Sequence, residues 1–493
     1  MEGRDDDKAA GGIEALRSTV RHTLRDPGVV RGVRSYRRLN QASGFDCPGC
    51  AWPDPRQRTS LEFCEQGAKA VASEATRRTV GADFFRSHSI PALLERPAQW
   101  LEHQGRLVEP LVRRRGADHY EPISWEEAFA RAGSVLRGLD SPDQAIFYTS
   151  GRTSNEAAFL YQLFARELGT NNLPDCSNLC HESSGTGLTE VIGVGKGTVD
   201  LADFEKADAI FVMGQNPGSN HPRMLATLQA ARHRGCRIVS INPLRERGLV
   251  RFAHPKDPLA LLGRSEPIAE RFLQVRVGGD VALLQAMMKI VLRAEAEAPG
   301  AVLDWDFIHI HTAGFDAFRA ALDATPMEAL VAASGVPQGE IEAAAQIYLE
   351  AERVIVCWAM GLTQHKHGVA NVQEIVNLLL LRGNVGKPGA GPCPVRGHSN
   401  VQGDRTMGIF ERPAADFLDR LEAEFGFAPP RRHGLDVVGA IEALRDGRAR
   451  FFMGLGGNFV AASPDTPVVE AGLRRTELTV HVATKLNRSH LVV

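Results

Sequence analysis

Long apolar runs are missing from this chain. The longest, such as Ile375 to Leu381, is broken by Asn377, whereas a spanning helix needs about 18 or more apolar residues in a row. A membrane span is excluded. An excess of one charge is missing too: 57 Lys and Arg stand against 59 Asp and Glu, a formal net charge of -2. That balance argues against a protein whose whole surface binds nucleic acid. Cysteine is scarce, eight in 493 residues, too few for a disulfide scaffold, so clustered thiols point to metal or redox chemistry in a reducing compartment. The acidic start, Met1 to Ala10, lacks the apolar core of a secretory signal. Arg37-Arg38 has no apolar run behind it before Cys47, so no twin-arginine signal is read. The cytoplasm is the expected location.

What remains is ordinary globular composition, 43% apolar and 24% charged with 48 glycines, which fits neither disorder nor collagen. The length is about three times the roughly 150 residues of one domain, so several domains are expected. Residues 1–46 read as a polar, partly helical tail. Residues 47 to about 105 hold a cysteine cluster followed by a polar helix, Gln66 to Thr79. From about 120 onward, strands and helices alternate in the rhythm of a parallel sheet covered on both faces. Strands are predicted at Ala145–Thr149, Ala209–Met213, Arg237–Ile241, Val354–Trp358, Arg450–Met453 and Leu478–Val482. Ser154 is read as capping a helix that runs to Leu168 and ends at Gly169, and further helices are predicted at Asp280–Ala294 and Val369–Leu381.

Two strand ends look alike. Phe211-Val-Met-Gly-Gln-Asn-Pro217 and Phe452-Met-Gly-Leu-Gly-Gly-Asn458 each pass from an apolar strand into a Gly and Asn turn. Such a turn is either a tight connection or a place where backbone N–H groups meet a phosphate. The pair points to a duplicated nucleotide-binding sheet. The last residues, Ser489-His-Leu-Val-Val493, read as an apolar strand with no polar tail, from which a truncated chain is expected.

Three segments carry chemistry. Cys47-Pro-Gly-Cys50, with Cys64 after it, puts two thiolates on one turn, suited to zinc, an iron–sulfur cluster or a redox disulfide. The polar surroundings disfavour a thioredoxin-like site. Cys176-Ser-Asn-Leu-Cys180-His181 sets a thiol beside an imidazole, either a nucleophile, a soft-metal ligand or a buried small residue. Asn384-Val-Gly-Lys-Pro-Gly-Ala-Gly391 and Pro394-Val-Arg-Gly-His-Ser-Asn-Val-Gln-Gly403 mix glycine with the donors Arg396, His398, Asn400 and Gln402, as a ligand-contacting loop does.

Together these segments resemble the molybdopterin-guanine-dinucleotide oxidoreductases, most closely the alpha subunit of formate dehydrogenases and their cytoplasmic relatives of uncertain substrate. The likeness runs from Cys47 to the end. It implies an α/β fold of two Rossmann-like doubly wound units with a small N-terminal iron–sulfur domain, and a C-terminal β-rich domain that is missing. The implied divisions are a tail at 1–46, a cluster domain at 47–110, a first pterin-binding domain at 111–175 with 399–493, and a second at 176–398. The implied cofactors are molybdenum bis-molybdopterin guanine dinucleotide and a [4Fe-4S] cluster.

Cys180 would then be the protein ligand to molybdenum, His181 the neighbouring acid–base or electrostatic group, and Arg396 the holder of an anionic substrate. His398 stands where these enzymes commonly have glutamine. Gly214, Asn216, His221, Pro222, Asn242 and Pro243 would hold one dinucleotide, Gly454, Asn458 and Asp465 would help hold the other, and Gly361 and Gln364 would also bind the cofactor. Cys47, Cys50 and Cys64 would bind the cluster. The sequence departs from the family there, because Asp54 occupies the position of a third cysteine and Gln66 that of a lysine that relays electrons. The implied activity is two-electron oxidation of formate or a small carboxylate-like molecule, passing electrons to an acceptor protein or carrier. The alternative is a catalytically silent pterin-binding or regulatory fragment.

Overall fold

A computed structural model of the chain describes residues 8–492. Eight strands build two parallel sheets. We label them β1 (Ala145–Thr149), β2 (Ala209–Met213), β3 (Arg237–Ile241), β4 (Arg271–Leu273), β5 (Val354–Trp358), β6 (Gly391–Pro394), β7 (Phe451–Leu455) and β8 (Leu478–Val482). The larger sheet has the order β4-β3-β2-β5-β6 and the smaller β8-β7-β1. Every pairing within them is parallel.

The apolar runs dictate this arrangement. A strand apolar at every position has no face to offer to water and must be covered on both sides. Alternate side chains of the larger sheet enter two separate cores. Phe211, Met213, Val239, Val354, Val356 and Trp358 pack with the helices Asp280–Glu297, Gln338–Glu350 and Gly368–Leu380. Ile210, Val212, Ile238, Ile355 and Cys357 pack on the other side with helix Pro222–His233. The smaller sheet repeats the pattern: Ala145, Phe147 and Phe451 face the helix α1 (Asn155–Leu168), and Ile146, Tyr148 and Phe452 face helices Val437–Arg445 and Thr466–Leu473. The result is a mixed α/β protein with parallel sheets.

Helix α1 shows why the local signals are sharp. The Ser154 side chain accepts from Ala157 N–H at its start, and Gly169 ends it with φ 108, in the left-handed region. The predicted helix at Gln66–Thr79 is instead Glu65–Glu74, capped by the Cys64 sulfur. The predicted strand at Arg450–Met453 runs from Phe451 to Leu455.

Three expectations are corrected. Within residues 1–46, the described part from Lys8 onward is no tail. Ala10–Gly11 pairs in parallel with Phe252–Ala253, and Tyr36 and Leu39 share a small core with Ala68 and Val71. The Tyr36 hydroxyl also hydrogen-bonds Thr23 Oγ1 at 2.7 Å. Gly454 is no turn residue, since it sits inside β7 opposite Tyr148 and His481, and the turn falls at Gly456-Gly457. The expected terminal strand is a 3-10 turn, Arg488–Leu491, and Val493 lies outside the described residues.

Arg166, on α1, is wholly buried. Its guanidinium donates to Asn171 Oδ1 at 2.9 Å, to the Gly408 carbonyl at 2.8 Å, to the Phe410 carbonyl at 2.9 Å and to Gln162. It thereby holds the segment returning to the smaller sheet. Arg166→Ala leaves several buried acceptors unpaired, each costing about 1–3 kcal/mol. The urea midpoint should fall by an amount equivalent to roughly 3 kcal/mol with unchanged slope. An unchanged midpoint would show that these bonds contribute nothing net.

Candidate active site

The carboxyl ends of strands from both sheets open on one cleft of about 1270 Å³. This is where open parallel sheets bind ligands, because the turns there present backbone N–H groups and leave room above the strand ends. Gly214 follows β2, Gly361 follows β5, Gly397 and His398 follow β6, Ser150 and Arg152 follow β1, and Gly456-Gly457 follow β7. The glycines are required by packing as well as conformation. Gly214 has φ 54, and a Cβ on Gly361 would meet the Gly214 carbonyl oxygen at 2.5 Å. Two turns from different strands therefore touch backbone to backbone, and Gly361 N–H donates to that same carbonyl at 3.0 Å.

Cys180 lies in the cleft wall at the end of the short helix Ser177–Cys180 and is 5% exposed. Its turn is held from several sides. Cys176 N–H donates to the Thr149 carbonyl, Gly151 N–H donates to Cys176 Sγ at 3.1 Å, and Thr363 Oγ1 donates to the Cys180 carbonyl at 2.6 Å. Burial raises the Cys180 thiol above its ordinary pKa, opposed by the Gly397 amide and the Arg396 charge.

His181 and Arg396 are buried beside it but stand outside the cleft wall. Ser184 Oγ accepts the Trp358 indole N–H at 2.9 Å and lies 2.9 Å from His181 Nδ1. An indole can only donate, so Ser184 Oγ is the acceptor from Trp358, and the two contacts together fix the orientation of the His181 ring. Nε2 has no hydrogen-bond partner. Burial first, then the Arg396 charge, pushes His181 down to about 3, so the ring is neutral. Arg396 donates through Nη2 to the Gly195 carbonyl at 3.3 Å, while its buried Nε is without a partner.

The remaining predicted residues divide. Asn216, His221, His398 and Asn458 line the cleft with Gly214 and Gly361. His221 Nε2 donates to the Arg396 carbonyl at 2.8 Å and so fixes the loop that carries the arginine. His398 Nδ1 is buried and unpartnered, and burial lowers its pKa. Asn242, Pro243, Gln364, Gly454 and Asp465 are not in the cleft wall, and Pro222 lines a second, smaller cavity. Asp465 is an exposed residue with φ 55 ahead of helix Thr466–Leu473. Sequence reasoning missed Arg152, although Ser150-Gly-Arg152 follows a strand in the same way as the turns it did single out.

Cys47, Cys50 and Cys64 also line the cleft. Gly67 lies against two of them: a Cβ there would come within 2.8 Å of Cys47 Sγ and 3.9 Å of Cys64 Sγ. Gly49 N–H donates to Cys47 Sγ at 3.3 Å and Gly67 N–H to Cys64 Sγ at 3.4 Å. Burial raises all three thiols, Cys47 to about 11. The Asp54 carboxylate, at the position of the family's third cysteine, accepts from Arg223 Nη1 at 2.7 Å. Among the described residues no three His, Cys, Asp or Glu converge to hold a single metal ion.

A soft thiol in a cleft walled by glycine turns, with unpartnered buried nitrogens behind it, fits a bulky metal–organic cofactor and defines a cofactor-dependent α/β enzyme. The molybdopterin oxidoreductase family model matches residues 106–487, and the chain belongs to that family. Membership implies a molybdenum–pterin cofactor. An uncharacterized oxidoreductase of Mycobacterium tuberculosis is 54% identical over 486 residues, covering 98% of this chain and 62% of that protein. Protein YdeP of Escherichia coli K12 is 49% identical over 489 residues, covering 98% of this chain and 64% of its own length. The F420-dependent formate dehydrogenase 1 subunit alpha of Methanococcus maripaludis is 32% identical over 314 residues, 63% of this chain and 42% of that subunit. The chain thus spans less than two thirds of the length of these relatives. Among solved structures, acetylene hydratase from Pelobacter acetylenicus matches in fold with a TM-score of 0.60 at 16% identity, covering 79% of this chain and 55% of that one. No helix of the described residues is long and apolar enough to cross a membrane.

The loop after His398 is held by charge as well as hydrogen bonds. Arg405 binds Asp175 at 3.0 Å and Glu182 at 2.8 Å, tying it to the Cys180 turn. Next to it, Asp404 is fully buried with Oδ2 unpartnered, and burial together with the Asp175 charge raises its pKa from 3.8 to about 8. Between those values the folded chain binds the extra proton, so this group costs stability as pH rises through that window. Asp404→Asn keeps the acceptor for Asn400 and removes the charge. Its thermal midpoint should exceed the parent's at pH 8, with the gap closing as pH falls towards 3.8. A gap independent of pH would contradict the linkage.

Proposed function

We propose that this chain supplies the molybdenum- and iron–sulfur-binding core of an oxidoreductase that removes two electrons from formate or a small carboxylate-like substrate. The observation that supports this most is Cys180, a soft thiol in the cleft wall with Arg396 and His181 packed against it. When bound, the molybdenum–pterin group would supply the two-electron chemistry. Cys180 would be its protein ligand, a role for which a thiolate is the matched donor. We further read the cofactor as the bis-guanine-dinucleotide form, one half on the turns at Gly214, Asn216 and His221, the other on those at Gly361 and Gly456 to Asn458. In domain terms, 47–110 would be the cluster domain, 111–175 with 399–493 the first pterin-binding domain and 176–398 the second.

The chain's own groups have distinct work. Arg396 carries an Nε that has lost water without gaining an acceptor, and a substrate carboxylate would supply one in a planar, paired geometry. Its part is orientation and charge stabilisation. His181, held in one orientation by Ser184 and Trp358, would guide a proton at its unpartnered Nε2. In the full-length protein, Arg396→Ala should raise KM and lower kcat at unchanged metal content. The combined loss should correspond to about 2–5 kcal/mol, as for truncating one partner of a buried charge pair. Cys180→Ala should abolish turnover, and turnover retained in that variant would sink the assignment.

The three thiols Cys47, Cys50 and Cys64 in the cleft lining support a [4Fe-4S] cluster, which is wider than a single ion and wants ligands spread about it. Anaerobically purified protein should contain iron and acid-labile sulfide and give a cluster EPR signal on reduction. Stoichiometric zinc without sulfide is the result that would rule this out. Electrons would leave to an acceptor protein or carrier.

A further inference from the structure

Two thiols outside the cleft face each other across the larger sheet. Cys357 on β5 and Cys393 on β6 are register partners in a parallel pair. Both point into the core shared with helix Pro222–His233, and their side chains are in contact. Neighbouring strands lie about 4.8 Å apart, inside the roughly 4.4–6.8 Å separation of Cα atoms that a disulfide spans. Both cysteines are free. Cys357 is wholly buried, whereas Cys393 is partly open to solvent, near the edge of the sheet.

We propose that Cys357 and Cys393 are a reversible oxidation site, forming a cross-strand disulfide in response to a hydroperoxide. The asymmetry of exposure fixes the order of events. The accessible Cys393 thiolate takes one oxygen from the hydroperoxide to give a sulfenic acid, and the O–O bond breaks to release the alcohol, or water when the oxidant is hydrogen peroxide. The Cys357 sulfur, already in contact, then attacks the Cys393 sulfur. The S–S bond forms, the S–O bond breaks, and hydroxide leaves with the Cys357 proton as water. The two sulfurs together lose two electrons, and the hydroperoxide accepts them. Burial raises the Cys357 thiol well above its ordinary pKa, which leaves the first reaction with the hydroperoxide to the more accessible Cys393.

The placement gives the bond a consequence. The strand bearing Cys357 ends at the turn containing Gly361, and the strand bearing Cys393 runs through Val395, whose N–H donates to the Trp358 carbonyl at 2.8 Å, into Arg396. A covalent tie would therefore lie just behind two walls of the site. Two further thiols reach this core, Cys50 from the N-terminal cysteine segment and Cys236, which precedes β3 and is separated from β5 by β2.

The test is differential alkylation and peptide mass spectrometry on the full-length protein before and after hydrogen peroxide. Cys357 and Cys393 should become protected together, appear in one linked peptide lighter by two hydrogens, and return to the free state with dithiothreitol. Cys393→Ser should leave Cys357 fully alkylatable after oxidation and denaturation, and Cys357→Ser should let Cys393 proceed to the sulfinic acid. Cys393→Ala serves if the serine variant fails to fold. Linkage of Cys357 to Cys236, sulfinic acid at Cys393 of the parent protein, or unchanged alkylation of both would each overturn the proposal.

Discussion

The segment Pro394 to Gly403 is the constraint on which the rest depends, because it is the one stretch that leaves the larger sheet and arrives at the smaller one inside the cleft. Its hydrogen bonds alternate between the two. Val395 N–H donates to Trp358 of the larger sheet and the Arg396 carbonyl accepts from His221, whereas Asn400 N–H donates to Gly151 at 2.8 Å and Asn400 Nδ2 to Thr153 at 2.7 Å. Glycine at 403 allows this, since a Cβ there would stand 2.1 Å from Asn400 Oδ1. Each bond is modest alone, about 1 kcal/mol net. Spread along ten residues, they fix where Arg396 and His398 stand relative to Cys180.

That placement is bought with buried charge. Asp175, Asp404, Arg166 and Arg396 are all nearly or wholly inaccessible, and burying an ion is tolerable only when partners replace the lost water. Arg405 provides this for Asp175, and four acceptors provide it for Arg166. Arg396 and Asp404 are left short, one with an unpartnered Nε and the other with an unpartnered Oδ2. Of these four buried charges, Asp175 and Arg166 are satisfied, and the deficit falls on Arg396 and Asp404, which lie next to the site. This is the pattern of a region whose electrostatics are completed by something bound.

Strand positions were legible in the sequence because a parallel strand covered on both faces writes itself as an unbroken apolar run, as in Ala209-Ile-Phe-Val-Met213. Helix α1 was legible through Ser154 and Gly169, whose capping chemistry is local. The N-terminal region was not, because its order comes from distant partners: Ala10–Gly11 has no strand character of its own and acquires it from Phe252–Ala253. The Gly454 error has the same root. Pairing with β1 and β8 carries β7 through a glycine that looked like a turn. Nor could the sequence show that the Asp54 carboxylate pairs with Arg223, far along the chain. The motifs singled out Cys180 and Arg396, which the fold brings side by side, but no spacing rule could show that the arginine lies buried outside the cleft wall.

The strand order carries a consequence for synthesis. The larger sheet takes all its strands from one continuous stretch, β2 to β6, so it can close as soon as that stretch has left the ribosome. The smaller sheet cannot. Its edge strand β1 is made early, and its only neighbour in that sheet, β7, is made close to the end of the described chain. During the interval β1 is an apolar strand with an unpaired edge, the kind of surface that recruits other chains. The nascent protein is therefore most vulnerable to aggregation in the window between Thr149 and Phe451, and a slowing of elongation there would lengthen it.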